Sequence, residues 1–154
     1  MLDEELVLRF CAFRWIEEDP QQLGAVSKDM LSHLMFIIER RLSDEALAEL
    51  AEDFARAMRN SFGLFGGHAF RKWPLGDDRL RPFNTALFES WSALLAPYDW
   101  SQVEPHASVI IQAARERMTS DARYIESISR AVSSRSRVDY SFQVAHKILT
   151  EALA

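Results

Sequence analysis

The chain has 154 residues, of which 48% are hydrophobic, enough for one sizeable core and, on length alone, for a single domain spanning residues 1–154. A net charge of -5 argues against a generally basic nucleic-acid binder, and no apolar run approaches the roughly 20 residues that a membrane span needs. The acidic start MLDEE is unlike the basic opening of a signal peptide, and Cys11 has no second cysteine to pair with, so a reduced, cytoplasmic protein is expected.

The opening DEELVLRFCAFRWIEE predicts a first helix. Asp3 can cap it, Glu4 and Glu5 suit the positive end of its dipole, and Leu6, Phe10, Phe13 and Ile16 recur at helical spacing. Pro20 and Gly24 break the period. Ser27 then starts a second helix whose Met30, Leu31, Leu34, Met35, Ile37 and Ile38 leave little polar circumference, which places it centrally in a bundle. The change from Arg40 and Arg41 to SDE marks the next boundary. A third helix follows with Leu47, Leu50, Phe54, Met58 and Phe62 on one stripe and Gly63 as its stop.

Residues 63–81 form a long loop between the third and fourth helices, with three of the chain's five glycines at Gly63, Gly66 and Gly67. Phe65, Phe70 and Trp73 have the apolar area to anchor it, which would hold His68 and Arg71 outward. Pro82 then suits the first turn of a fourth helix carrying Phe83, Leu87, Trp91 and Leu94, and Pro97 ends it. Pro105 opens a fifth through Met118, with Val109, Ile110 and Ala113 inward. Ser120 caps a shorter helix to about Val132 with Tyr124, Ile125 and Ile128 inward, and SSRSR separates it from a last helix lined by Val138, Phe142, Ala145 and Leu149. No segment alternates like a strand. The reading is an all-α bundle of six or seven helices in which Leu6, Phe10, Phe13, Leu34, Ile38, Phe54, Leu87, Trp91, Ile110 and Phe142 share one core.

The candidate contact residues for a partner or nucleic acid are His68, Arg71, Lys72, Arg79, Asn84, Arg135 and Arg137. Glycine-flanked amides beside His68, Arg71 and Lys72 favour an anion, or else the aromatics simply pin the loop and leave the charges in solvent. Asn84 either works in a cleft or caps a helix, and Arg71 either braces the loop or reaches a ligand. The arginines from Arg115 to Arg137 could track nucleic acid, or form a solvated face shared with Glu116, Asp121 and Glu126. His33, His106 and His146 lack neighbours at metal-ligand spacing, so no metal, cofactor or catalytic residue is expected.

DEELVLRFCAFRW, FARAMRNSFGLFGGHAFR, RPFNTALFESW and the closing YIESISRAVSSRSRVDYSFQVAHKIL, in that order, resemble the C-terminal helical part of the GmrSD-type family. Members carry an N-terminal α/β half of ParB-like or sulfiredoxin-like fold with an Asp-Gly-Gln-Gln-Arg motif, associated with nucleotide use and DNA restriction in phage defence. That motif is absent here, and Met1 and Leu2 fall where members are already entering the first helix. The resemblance therefore implies a detached, non-catalytic helical half or subunit that completes and regulates a partner bearing the nucleotide or nuclease site, with DNA reached through the complex. The alternative from another class is a stand-alone nucleic-acid binder using HAFRK and the C-terminal arginines.

Overall fold

The computed structural model describes residues 2–16, 36, 40, 42–129 and 135–154, and those within secondary structure are almost all helical. In chain order the helices are α1 (Leu2–Ile16), α2 (Asp44–Phe65), α3 (Thr85–Leu95), α4 (Trp100–Val103), α5 (Ala107–Ser120), α6 (Ala122–Ser127) and α7 (Arg135–Leu153). Single 3-10 turns at Gly66–His68 and Glu104–His106 follow α2 and precede α5. Among the described residues the only β feature is an isolated antiparallel bridge between Arg71 and Phe83. The all-α bundle expected from the periodicity is the fold observed.

The bundle is organised around α3, whose residues from Leu87 to Leu95 are buried except Leu94, and which packs against α1, α2 and α7. A helix apolar on most sides belongs inside, and α3 serves a different apolar cluster with each face. Leu87, Trp91 and Leu95 meet Leu64 and Phe65 of α2, Ile110 of α5, Tyr124 of α6 and Leu149 of α7. Ala93 meets Ala12, Phe13 and Val138. Phe88 and Ala96 meet Phe10 and Ala57, with Phe54 packed beside them. The single shared core read from the sequence is thus three clusters divided by α3, with Phe13 and Phe142 in one and Phe10 and Phe54 in another. The central second helix, including Leu34 and Ile38, lies outside the described residues apart from Phe36 and Arg40, which are exposed.

Polar contacts fasten the ends of α3. Asn60, fully buried on α2, donates from Nδ2 to the carbonyls of Leu95 at 3.0 Å and Tyr98 at 2.7 Å, and Arg56 donates to the Ala96 carbonyl at 2.9 Å. The Leu95 carbonyl also accepts from the Tyr98 amide at 3.3 Å, so side chains of α2 and the turn after α3 together satisfy the carbonyls at this end. Asp53 of α2 pairs with that same Arg56 at 3.2 Å and with Arg14 of α1 at 2.7 Å, and Glu89, 4% exposed, accepts from Arg9 at 2.7 Å.

Several boundaries differ from the sequence reading. Helix α1 already includes Asp3, so that residue lies in the first turn and not at the cap. Helix α2 starts as expected, Ser43 accepting from the Ala46 amide at 3.2 Å, but runs through Gly63 to Phe65. Its buried face is Ala57, Asn60, Ser61 and Leu64, which rotates the expected stripe and leaves Leu47 and Phe62 exposed. Pro82 and Phe83 precede α3, because the chain there bridges to Arg71 before Asn84 caps the helix. Pro105 sits in the 3-10 turn, and Val109 faces outward while Ile110 is buried. Ser120 ends α5, its hydroxyl donating to the Glu116 carbonyl at 3.0 Å, while Asp121 caps α6 by accepting from the Tyr124 amide at 2.9 Å. Helix α6 stops at Ser127.

Candidate functional site

The segment from Gly66 to Asn84 is a loop built against α5 and α6. It leaves α2 at Gly66, whose φ of 53° is open to glycine and strained for other residues. Phe70 adopts a φ of 56° all the same. An aromatic residue in that region requires compensation, which its surroundings provide: its ring meets Phe88 edge-on at 5.0 Å and Phe83 at 6.0 Å, and its carbonyl accepts from the Asn84 amide at 2.8 Å.

The first half of the loop is pinned. The Trp73 amide donates to the Met118 sulfur at 3.2 Å and the Leu75 amide to the Thr119 hydroxyl at 2.9 Å, so the loop backbone borrows acceptors from the last turns of α5. The Trp73 ring stacks parallel to His68 at 4.3 Å, receives the Arg115 guanidinium at 4.1 Å, and donates from its indole nitrogen to Asp78 at 2.7 Å. Arg115 also pairs with Asp78 at 2.8 Å. The Trp73 hydrogen bond is the leading cause holding the Asp78 carboxyl below its ordinary value, with Arg115 adding to it. His68 Nδ1 and Arg115 Nε are shielded from solvent without a hydrogen-bond partner, and both residues line a small hollow beside Trp73.

Of the sequence candidates, His68, Arg71, Lys72, Arg79 and Asn84 are gathered on this loop, each engaged within the protein. His68 is not held outward as expected but half-buried on Trp73. Arg71, also half-buried, braces the loop by donating to the Arg81 carbonyl. Lys72 donates to the Ser129 hydroxyl at 2.7 Å. Asn84 accepts from the Leu87 amide at 3.0 Å and donates to the Ile128 carbonyl at 2.6 Å, capping α3 and tying it to α6. Arg79 is the outermost, its side chain 78% exposed and paired with Asp77 at 2.9 Å. Asp77 bonds both Arg79 and Arg81, which together hold its carboxyl far below the usual range.

The loop's second half projects. Leu80 is 64% exposed and Phe83 40%, and Leu75, earlier in the loop, 37%. The other candidates lie elsewhere: Arg135 opens α7, and Arg137 pairs with Glu126 at 3.0 Å. Arg123 lies over the Tyr140 ring at 4.1 Å, and Arg117 approaches Asp121 at 3.5 Å, so these C-terminal arginines are interleaved with acids and an aromatic.

A pocket of about 200 Å³ between the loop and α6 is lined by Lys72, Pro74, Arg81, Met118, Ile125 and Ile128. Sequence reasoning singled out Lys72 alone as a contact residue there, since the pocket exists only once the loop is folded over α5 and α6. Burial lowers the Lys72 ammonium from its ordinary value, and the nearby Arg81 charge adds to the effect. Among the described residues no group of three or more His, Cys, Asp or Glu could hold a metal ion, and no helix is long and apolar enough to cross a membrane. No family model, curated protein or solved structure matches the chain.

Proposed function

We propose that this chain is a non-catalytic docking module that presents the outer half of its glycine-aromatic loop to a partner protein. The observation that carries the reading is the exposure of Leu80 and Phe83 on a segment whose flanks are fastened by Trp73, Arg81 and Asn84. Large apolar side chains held in water on a braced loop lose little conformational freedom on binding, which favours association. Arg79 beside them supplies a charge at the rim of such a contact.

The resemblance of the sequence to the helical part of the GmrSD-type family supports a particular partner, a cytoplasmic α/β chain carrying the Asp-Gly-Gln-Gln-Arg motif. In that assembly the partner performs the nucleotide or nuclease chemistry, this chain completes and regulates it, and DNA is met through the complex. Co-expression of the tagged chain with the α/β protein encoded beside it tests the reading. A stable complex on size exclusion is expected; a chain that elutes alone in the presence of that neighbour contradicts it.

A further inference from the structure

We propose that Met118 is a reversible oxidation site that unlatches the first half of the loop. The last turns of α5 hold this half through three residues spaced i, i+3 and i+4 on one helix face. Arg115 lies over the Trp73 ring at 4.1 Å, the Met118 sulfur accepts from the Trp73 amide at 3.2 Å, and the Thr119 hydroxyl accepts from the Leu75 amide at 2.9 Å. The middle contact is the oxidisable one. Among the described residues no other methionine sulfur takes a hydrogen bond, and Met58 packs beside Phe10, Ala57 and Phe88. Met118 is half-buried and also lines the pocket of about 200 Å³ between the loop and α6, which gives a peroxide room beside the side chain.

The lone pairs that make sulfur an acceptor also make it a nucleophile. A sulfur lone pair attacks one oxygen of hydrogen peroxide, the O–O bond breaks, and the departing hydroxide takes the proton from the transferred oxygen to leave as water; sulfur loses two electrons and the peroxide gains them. The sulfoxide sulfur carries partial positive charge and no longer suits a donor. An oxygen placed on the lone pair that faces Trp73 would stand in the path of its amide, so either epimer removes the N–H···S contact. The new S–O dipole is also set among Pro74, Ile125 and Ile128, which offer no side-chain donor. The contacts of Thr119 and Arg115 remain, so the segment loosens locally while the bundle stays folded. A thiol-dependent sulfoxide reductase returns the thioether, its two thiols becoming a disulfide and the oxygen leaving as water. The latch acts on the loop itself, whatever the loop binds.

Hydrogen exchange of the full chain, read amide by amide before and after treatment with hydrogen peroxide, tests the latch, with mass spectrometry locating each sulfoxide. Exchange at the Trp73 amide is expected to rise about five- to tenfold in chains oxidised at Met118, the loss of one hydrogen bond, while the Trp91 and Ile110 amides in the core keep their rates. Methionine sulfoxide reductase with a dithiol should restore the original rate. Met118→Leu keeps the volume but not the acceptor and leaves four of the five methionines to oxidise, so its Trp73 amide should exchange faster from the outset and not respond to peroxide. The proposal is overturned by a Met118 that resists a peroxide dose sufficient to oxidise it in the urea-unfolded chain, or by oxidation without a change at Trp73. An equal rise at Trp91 and Ile110, or a rise of the same size in Met118→Leu, overturns it as well.

Discussion

Gly63 packs its bare backbone against the indole of Trp100: a Cβ at position 63 would stand 2.5 Å from Cζ3 and 2.6 Å from Cη2 of that ring. The glycine is therefore a packing residue inside α2, not the residue that ends it. In an open helix Gly63→Ala would stabilise by about 1 kcal/mol. Here the clash with a rigid ring outweighs that gain, and a net loss of about 1–2 kcal/mol is expected from overpacking. Chemical denaturation of Gly63→Ala checks the sign, and pairing it with Trp100→Leu should recover most of the loss. A more stable single variant would mean that Trp100 moves aside freely.

Arg9 and Glu89 join α1 to the central helix, with Glu5 holding the same guanidinium at 2.8 Å. Removing Arg9 strands a buried carboxylate, so Arg9→Ala should cost about 3 kcal/mol. Burial, the largest cause, holds the Glu89 carboxyl above its ordinary value, with Arg9 pulling it the other way. The folded state then prefers the protonated acid, and the stability this contributes is present below about pH 4 and lost as pH rises through the folded value. Wild type should lose ground against Glu89→Gln as pH rises from about 4 toward neutrality. Urea midpoints measured across that interval would show the reverse trend if the ion pair governed.

Asn84 uses its side chain twice, on Leu87 and on Ile128. Asn84→Ala removes a helix cap, worth about 1 kcal/mol, and leaves the Ile128 carbonyl short of a partner at about 1–3 kcal/mol, for a total of about 2–4 kcal/mol. Asn84→Ser keeps a capping oxygen and should recover about the first of these. Equal losses in both variants would mean that the contact to Ile128 carries all the energy.

Trp73 and Arg115 brace the loop from one side. Trp73→Ala should raise the rate of proteolytic cleavage near Gly76 well beyond any change in global stability, since the anchored half would open locally. Cleavage that simply follows the unfolding equilibrium would show that the loop stays fastened through Asn84 and Lys72.

Periodicity identified Leu87 and Trp91 correctly because α3 is buried nearly all round, so any phase of its apolar stripe points at neighbours. In α2 the same reasoning places Phe62 inside, yet its closest packing uses the small Ala57 and the polar Asn60 and Ser61, which a stripe of large apolar residues does not pick out. Caps were mistaken where two residues compete: Ser120 bonds back to its own helix, leaving Asp121 to start the next. The loop is visible in the sequence because glycines, aromatics and cations are contiguous there. Its stacking is not, since His68, Trp73 and Arg115 meet only through tertiary structure, and nothing in the sequence marks Asp77 and Asp78 as the acids that hold its arginines.

The most direct test of the docking reading is the affinity of the Leu80→Asp variant for the proposed α/β partner, measured beside its thermal unfolding. Leu80 is 64% exposed, so the substitution should change folding stability by no more than about 0.5 kcal/mol. A carboxylate set into the apolar centre of an interface should cost binding about 2 kcal/mol or more, a loss of roughly thirtyfold. An unchanged affinity with a wild-type melting curve would contradict the assignment of the loop as the docking surface.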